Sequence, residues 1–166
     1  MIRRVVPFLM ILIAVLAASC TTSGMPTINA RAPDFELNDT EGKAVSLSDF
    51  LGRPVAVNFW GINCVYCIEE MPLLQEAFEQ ESAAADGVVI LTVNVQNDTA
   101  ATRAFFAENN YTLPALVDSS GRVADAYNIS AIPVTFFIDS KGVVRYVKRG
   151  LFISINEVNV ALDRVR

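Results

Sequence analysis

The period of apolar and polar positions changes repeatedly along the chain, and each change predicts an element. Beyond an uncharged run at Val5 to Ala18, the stretches Asp34–Leu37 and Lys43–Ser46 flank Asp39-Thr-Glu-Gly42, a turn signal, and read as a small hairpin. Val55 to Trp60 (VAVNFW) is a short apolar run of the kind a buried strand shows. From about Cys64 to Ala84 apolar residues recur at helical spacing, with Met71, Leu74 and Phe78 on one face and acidic residues elsewhere. Val88 to Val95 (VVILTVNV) is the most continuous β-branched run and predicts a central strand. Thr99 to Asn109 reads as a helix with Phe105 and Phe106 turned inward and Asn109-Asn110 as its stop. A short strand at Ala115–Val117 and a short helix at Arg122–Tyr127 follow. Thr135–Ile138 and Val143–Lys148 then form a second hairpin around Asp139-Ser-Lys-Gly142, and a last helix opens at Ser154 with Glu157 at capping-box spacing. Strands alternating with helices predict an α/β class, a sheet layered by helices.

The amino terminus departs from this pattern and reads as an address. Arg3 and Arg4 precede the uncharged run, which is shorter than the ~20 residues that span a bilayer and fits the apolar core of an export signal. It ends Leu16-Ala17-Ala18-Ser19-Cys20, which resembles the bacterial lipobox, where the cysteine is lipidated and becomes the new first residue. An ordinary signal peptide with an incidental Cys20 is the alternative. Thr21 to Ala30 (TTSGMPTINA) reads as a polar tether. The expected division is a signal over 1–19, the lipidated Cys20 and tether over 20–30, and one globular domain over 31–166.

Composition narrows the chemistry. The chain has 166 residues, 52% of them hydrophobic, and a formal charge of −5, with three cysteines and no histidine. That hydrophobicity excludes a disordered polar chain, and the acidic balance argues against nucleic acid as a partner. The missing histidine removes Ser-His-Asp and Cys-His nucleophiles and His-ligated zinc. Cysteine, carboxylate, lysine and tyrosine remain.

The cysteines concentrate the signal. Trp60-Gly61-Ile62-Asn63-Cys64-Val65-Tyr66-Cys67 crosses from a strand to a helix. Cysteines at i and i+3 in a first helical turn share a face at a separation compatible with a disulfide. Cys64 at the amino end would meet free backbone N–H groups and the positive end of the helix dipole, both of which favour the attacking thiolate. Cys67, one turn in and more buried, would resolve a mixed disulfide formed at Cys64. A zinc site lacks the third and fourth ligands, so no metal is expected. A purely structural disulfide would close a loop too small to constrain the unfolded chain much. Two unrelated thiols are the remaining alternative, and the strand-to-helix junction argues against them in favour of redox chemistry.

Asn58-Phe59-Trp60, Cys64-x-x-Cys67 and Glu69-Glu70-Met71-Pro72 together resemble the TlpA/ResA type of membrane-tethered, thioredoxin-like thiol:disulfide oxidoreductases. The similarity includes Ala32-Pro33-Asp34-Phe35, Leu47 to Pro54, and Tyr127 to Asp139, so it covers about residue 31 to the carboxyl terminus. It implies a thioredoxin-like fold: a central mixed sheet flanked by helices, with an N-terminal β-hairpin and the family's central insertion. It also implies that Ile132-Pro133 is a cis-proline pair beside the dithiol and that Glu70 is an acidic group able to relay protons as Cys67 ionises. Asn58 stands where cytosolic thioredoxins carry a buried aspartate; an amide takes up no proton, which leaves that task to Glu70. Trp60, Ile132 and Pro133 are expected to form the substrate groove, with Trp60 shielding the dithiol, whereas Pro72 and Glu69 read as structural and solvated. Val65-Tyr66 departs from the family in lacking a proline before the second cysteine.

The expected function is a membrane-anchored, extracytoplasmic thiol:disulfide oxidoreductase that reduces disulfides in exported proteins, apocytochrome c among them. Its electrons would come from a membrane thiol-transfer protein, and its only redox group would be the Cys64–Cys67 disulfide, with no cofactor. A peroxiredoxin-like peroxidase is one alternative, although the Pro-x-x-x-Thr/Ser-x-x-Cys context is absent around Cys64. A non-catalytic lipoprotein binding module is another.

Overall fold

The computed structural model describes residues 26–166. The expected signal over 1–19 and Cys20 lie outside the described residues. Among the described residues, besides a 3-10 turn at Leu47–Phe50, seven strands and four α-helices follow in the order β1 (Glu36–Asp39), β2 (Ala44–Ser46), β3 (Val55–Trp60), α1 (Val65–Ala83), β4 (Val89–Asn94), α2 (Thr99–Glu108), β5 (Ala115–Val117), α3 (Arg122–Ala126), β6 (Val134–Ile138), β7 (Val144–Arg149) and α4 (Ile155–Leu162). The strands form one sheet in the order β2-β1-β5-β4-β3-β6-β7. β3, β4 and β5 are parallel, and the outer pairs are antiparallel. This is the mixed, thioredoxin-like sheet, with α2 and β5 as the central insertion between β4 and α3.

The continuous apolar character of β3 has a direct cause: all six of its residues are buried, because both faces of the sheet are covered. Ala56 and Trp60 point into one cluster with Cys67, Met71 and Leu74 of α1, Phe106 of α2, and Val158 and Leu162 of α4. Val55, Val57 and Phe59 point into the other, with Phe35, Leu116, Tyr127 and Phe136. Strand β3 thereby delivers Trp60, and the loop after it, to the middle of the sheet's edge.

Element bounds differ from the sequence reading by one or two residues, as at β1, read over Asp34–Leu37 and found over Glu36–Asp39, and two local features differ as well. The folded unit starts before residue 31: Asn29 N–H donates to the Val144 carbonyl (2.8 Å), Val144 N–H donates to the Ala30 carbonyl (2.9 Å), and Arg31 bridges Val143. The last residues assigned to the tether are thus docked on β7, because their backbone groups find partners on an open sheet edge. The capping box of α4 is also shifted. Ser154 Oγ accepts from Glu157 N–H, but the Glu157 carboxylate reaches back to Ile153 N–H (3.0 Å), one residue before the cap. Helix α1 runs unbroken through Pro72.

Candidate active site

Cys64 is the N-cap of α1 and Cys67 lies in its first turn; they form a disulfide with Cα atoms 5.2 Å apart. Cys67 N–H donates to Cys64 Sγ (3.2 Å), so a backbone dipole of the helix start already faces the sulfur that would carry the thiolate. Cys64 is half-buried and Cys67 fully buried. The two sulfurs therefore differ in access as an attacking and a resolving thiol must.

The Ile132–Pro133 peptide bond is cis, and the Ile132 carbonyl oxygen lies 3.7 Å from Cys64 Sγ. Ile132 is half-buried and Pro133 buried, and they bring the loop before β6 against the dithiol. Val65 and Tyr66, between the cysteines, are exposed. Trp60 does not line a groove as expected. It is 0% exposed and packs against Phe105 and Phe106, because β3 is covered on both faces up to its last residue. It shares a buried cluster with Cys67.

Glu70 lies one turn beyond Cys67, on the same face of α1, and is 0% exposed. Asn58 Nδ2 donates to its Oε1 (2.8 Å), and the Phe152 N–H donates to its Oε2 (2.8 Å). Burial raises its pKa from 4.5 to about 7, against the pull of the Phe152 and Asn58 hydrogen bonds and of Lys148. Asn58 is itself held on β3 by donating to Thr135 Oγ1 (2.9 Å), while its Oδ1 is buried without a partner. A carboxylate with neutral donors at both oxygens and a pKa near neutrality can both accept and return a proton. Glu69, its neighbour, is exposed, as the sequence implied.

A model of the AhpC/TSA family matches residues 28–147. The thiol-disulfide oxidoreductase ResA of Geobacillus kaustophilus is 37% identical over 123 residues, 74% of this chain and 70% of that relative. The protein of the same name from Geobacillus thermodenitrificans is 33% identical over 154 residues, 90% of this chain and 87% of the relative. The chain belongs to the AhpC/TSA family. Among solved structures, the exposed lipoprotein thioredoxin of Streptococcus pneumoniae is 30% identical, with a TM-score of 0.69 over 79% of this chain and 98% of that one. With the Cys64–Cys67 pair, these relatives make this family member a thiol:disulfide oxidoreductase. Its substrates are protein thiols and disulfides.

Other residues at the site were not legible beforehand. Phe152 enters through its backbone N–H, which no side-chain pattern announces. Thr135 enters as the acceptor that fixes Asn58. Asn97, in the turn after β4, accepts from Ile62 N–H (3.0 Å) just ahead of Cys64; it lies past the strand read over Val88 to Val95, and nothing in its spacing singles it out.

Proposed function

We propose that the protein is a membrane-tethered, extracytoplasmic reductase of protein disulfides, with Cys64 as nucleophile, Cys67 as resolving thiol and Glu70 as proton relay. In the reduced enzyme the Cys64 thiolate attacks a client disulfide, and one client sulfur leaves as a thiolate that takes a proton from water. Cys67 then gives its proton to the Glu70 carboxylate and attacks Cys64 Sγ. The second client sulfur leaves as a thiolate and receives that proton, and the Cys64–Cys67 disulfide remains. Two electrons have moved from the enzyme to the client. A membrane thiol-transfer protein returns them by the same exchange in reverse, and no cofactor beyond the enzyme's own disulfide takes part. Apocytochrome c is the client class to which the resemblance points.

One observation carries this reading: the half-exposed Cys64 with a backbone N–H on its sulfur, beside a buried Cys67 that shares a helix face with a buried Glu70. The tether rests on the lipobox-like sequence before Cys20 and on the kinship with an exposed lipoprotein. No helix among the described residues is long and apolar enough to cross a membrane; in this reading Cys20 supplies the attachment through its lipid. Trapping tests the roles. Full-length Cys67→Ala should accumulate mixed disulfides with client proteins through Cys64, and Cys64→Ala should accumulate none. Equal trapping by both variants would remove the assignment.

A further inference from the structure

The loop Gly61–Asn63 delivers the nucleophile, and one side chain from outside it holds a backbone group of that loop. Asn94 ends β4 directly opposite Trp60 and is fully buried. Its Oδ1 accepts from the N–H groups of Gln96 (3.1 Å) and Asn97 (2.8 Å), which folds the chain into a tight turn. Its Nδ2 donates to Asn97 Oδ1 (3.3 Å), and that same oxygen accepts from Ile62 N–H (3.0 Å). On either side of this bond the two segments are already in contact. Val95 N–H donates to the Trp60 carbonyl (3.0 Å), and a Cβ placed on Gly61 would sit 2.3 Å from Gln96 Oε1. Cys64 N–H donates in turn to the Gly61 carbonyl (3.1 Å), so whatever holds Ile62 holds the turn that ends on the nucleophile.

We propose that Asn97 is a positioning residue for Cys64: its amide oxygen, itself held by Asn94, fixes the loop Gly61–Asn63 so that Cys64 Sγ stays against the Cys67 N–H. The inference rests on the reading of Cys64 as nucleophile. The chemical consequence follows from geometry. An N–H opposite a sulfur stabilises the thiolate only at short range and good alignment, and that contact is 3.2 Å here. Without the Asn97 oxygen, Ile62 N–H turns to water and the loop relaxes. The sulfur then drifts from the N–H, and the thiol holds its proton to higher pH. Asn97 touches neither sulfur and acts through the loop.

The neighbouring residue supplies a structural control. Asp98 Oδ1 caps α2 by accepting from Ala101 N–H (2.8 Å). Removing it loosens the same segment without taking any partner from the loop before Cys64. The experiment is the pH profile of iodoacetamide alkylation at Cys64, resolved by mass spectrometry of its peptide, in the full chain carrying Cys67→Ala. Asn97→Ala should lower the alkylation rate at pH 6 by about fivefold, the thiolate lost when a thiol pKa rises by somewhat under one unit. Asp98→Ala should leave the profile in place while lowering the melting temperature to a similar degree. Asn97→Ser, too short to reach Ile62, should repeat the loss and serves if Asn97→Ala does not fold. An unchanged profile in the Asn97 variants, or an equal shift in Asp98→Ala, overturns the proposal. If Cys64 with Asn97 intact already alkylates like an ordinary thiol, the nucleophile assignment falls first and this proposal with it.

Discussion

Helix α1 buries two carboxylates, Glu70 near its start and Glu81 near its end, and the protein treats them differently. Glu81 accepts from Val88 N–H (2.7 Å) and pairs with the Arg166 guanidinium, which also binds Asp163. A full opposite charge meets it, and the pair fastens the end of α1 to the carboxyl terminus and to the turn entering β4. Glu70 is met only by neutral donors, the Asn58 amide and the Phe152 N–H. Desolvation is therefore only partly offset, and its pKa rises to about 7. The difference separates a carboxylate that holds structure from one kept near the midpoint of its titration beside a redox pair. Burial alone distinguishes neither; the charge of the partner does.

The largest test is thermodynamic. Folding moves the Glu70 pKa from its ordinary 4.5 up to about 7, so between those values the folded protein holds a proton that the unfolded chain has released. Stability contributed by this group is thus full below pH 4.5 and lost as pH rises through 7, a fall of about 3 kcal/mol by pH 8. Urea unfolding of the oxidised protein from pH 4 to 8 should show this fall as a difference between wild type and Glu70→Gln. The amide variant can be accommodated by a flip of Asn58, whose unpartnered Oδ1 then accepts from the new amide. Parallel pH curves for the two proteins would place the Glu70 pKa at its ordinary value and erase the contrast with Glu81.

Next in size is the effect on chemistry. Glu70→Gln should slow resolution by Cys67 by about 100-fold near neutral pH, the usual worth of a positioned proton acceptor. Glu81→Gln should leave that step within about twofold, being remote from the reacting sulfurs. Stopped-flow fluorescence can follow both, because Trp60 is the one tryptophan and packs in the same cluster as Cys67. A comparable loss in both variants would mean that either carboxylate acts only through the packing of α1.

The converse holds for stability. Glu81→Ala strands Val88 N–H and should cost about 1–3 kcal/mol with turnover per folded molecule unchanged. Arg166→Ala should cost less than Glu81→Ala, about 1 kcal/mol, since the guanidinium is 42% exposed and its removal opens a path for water to the 7% exposed Glu81 carboxylate, which keeps its Val88 N–H donor. Urea midpoints at pH 7 rank the two. A larger loss for Arg166→Ala would show that the ion pair, and not the N–H acceptor, is what Glu81 provides.

What was legible in the sequence follows how far each partner lies along the chain. The dithiol and the strand-to-helix junction are local, so spacing alone exposed them, and Pro133 followed from the family resemblance. The short strands at Ala115–Val117 and Val55–Trp60 were read to the residue because turn signals or buried apolar runs bound them. Glu70 was singled out, but its environment was not. Its donors sit 12 and 82 residues away, one of them a backbone group. Glu81 drew no notice because its partner is 85 residues distant. Trp60 was placed at a groove because its neighbours in sequence are catalytic, whereas its surroundings are set by α2, an inserted helix that packs Phe105 and Phe106 over it. The start of the domain was misplaced because Thr21 to Ala30 is polar and short of apolar anchors. Its last residues, Asn29 and Ala30, dock through backbone hydrogen bonds, which composition does not record.

The finest test concerns charges near Glu70 that do not touch it. Lys148 Nζ pairs with the Glu157 carboxylate and lies 5.3 Å from the centre of the Phe152 ring, the residue whose N–H binds Glu70. Lys148 lowers the Glu70 pKa and Glu157 raises it, each less than burial does. Lys148→Met removes the attraction and uncovers the repulsion, so both changes act in one direction. The pH midpoint of the resolving step should rise by a few tenths of a unit, and less at high salt. Adding Glu157→Gln to that variant should bring the midpoint back towards wild type, because the pair then leaves together. Arg166→Met, which strips the other carboxylate of its cation, should not move the midpoint. If it moves as far as with Lys148→Met, the two ends of α1 share one electrostatic field, and the contrast drawn between their carboxylates is one of degree.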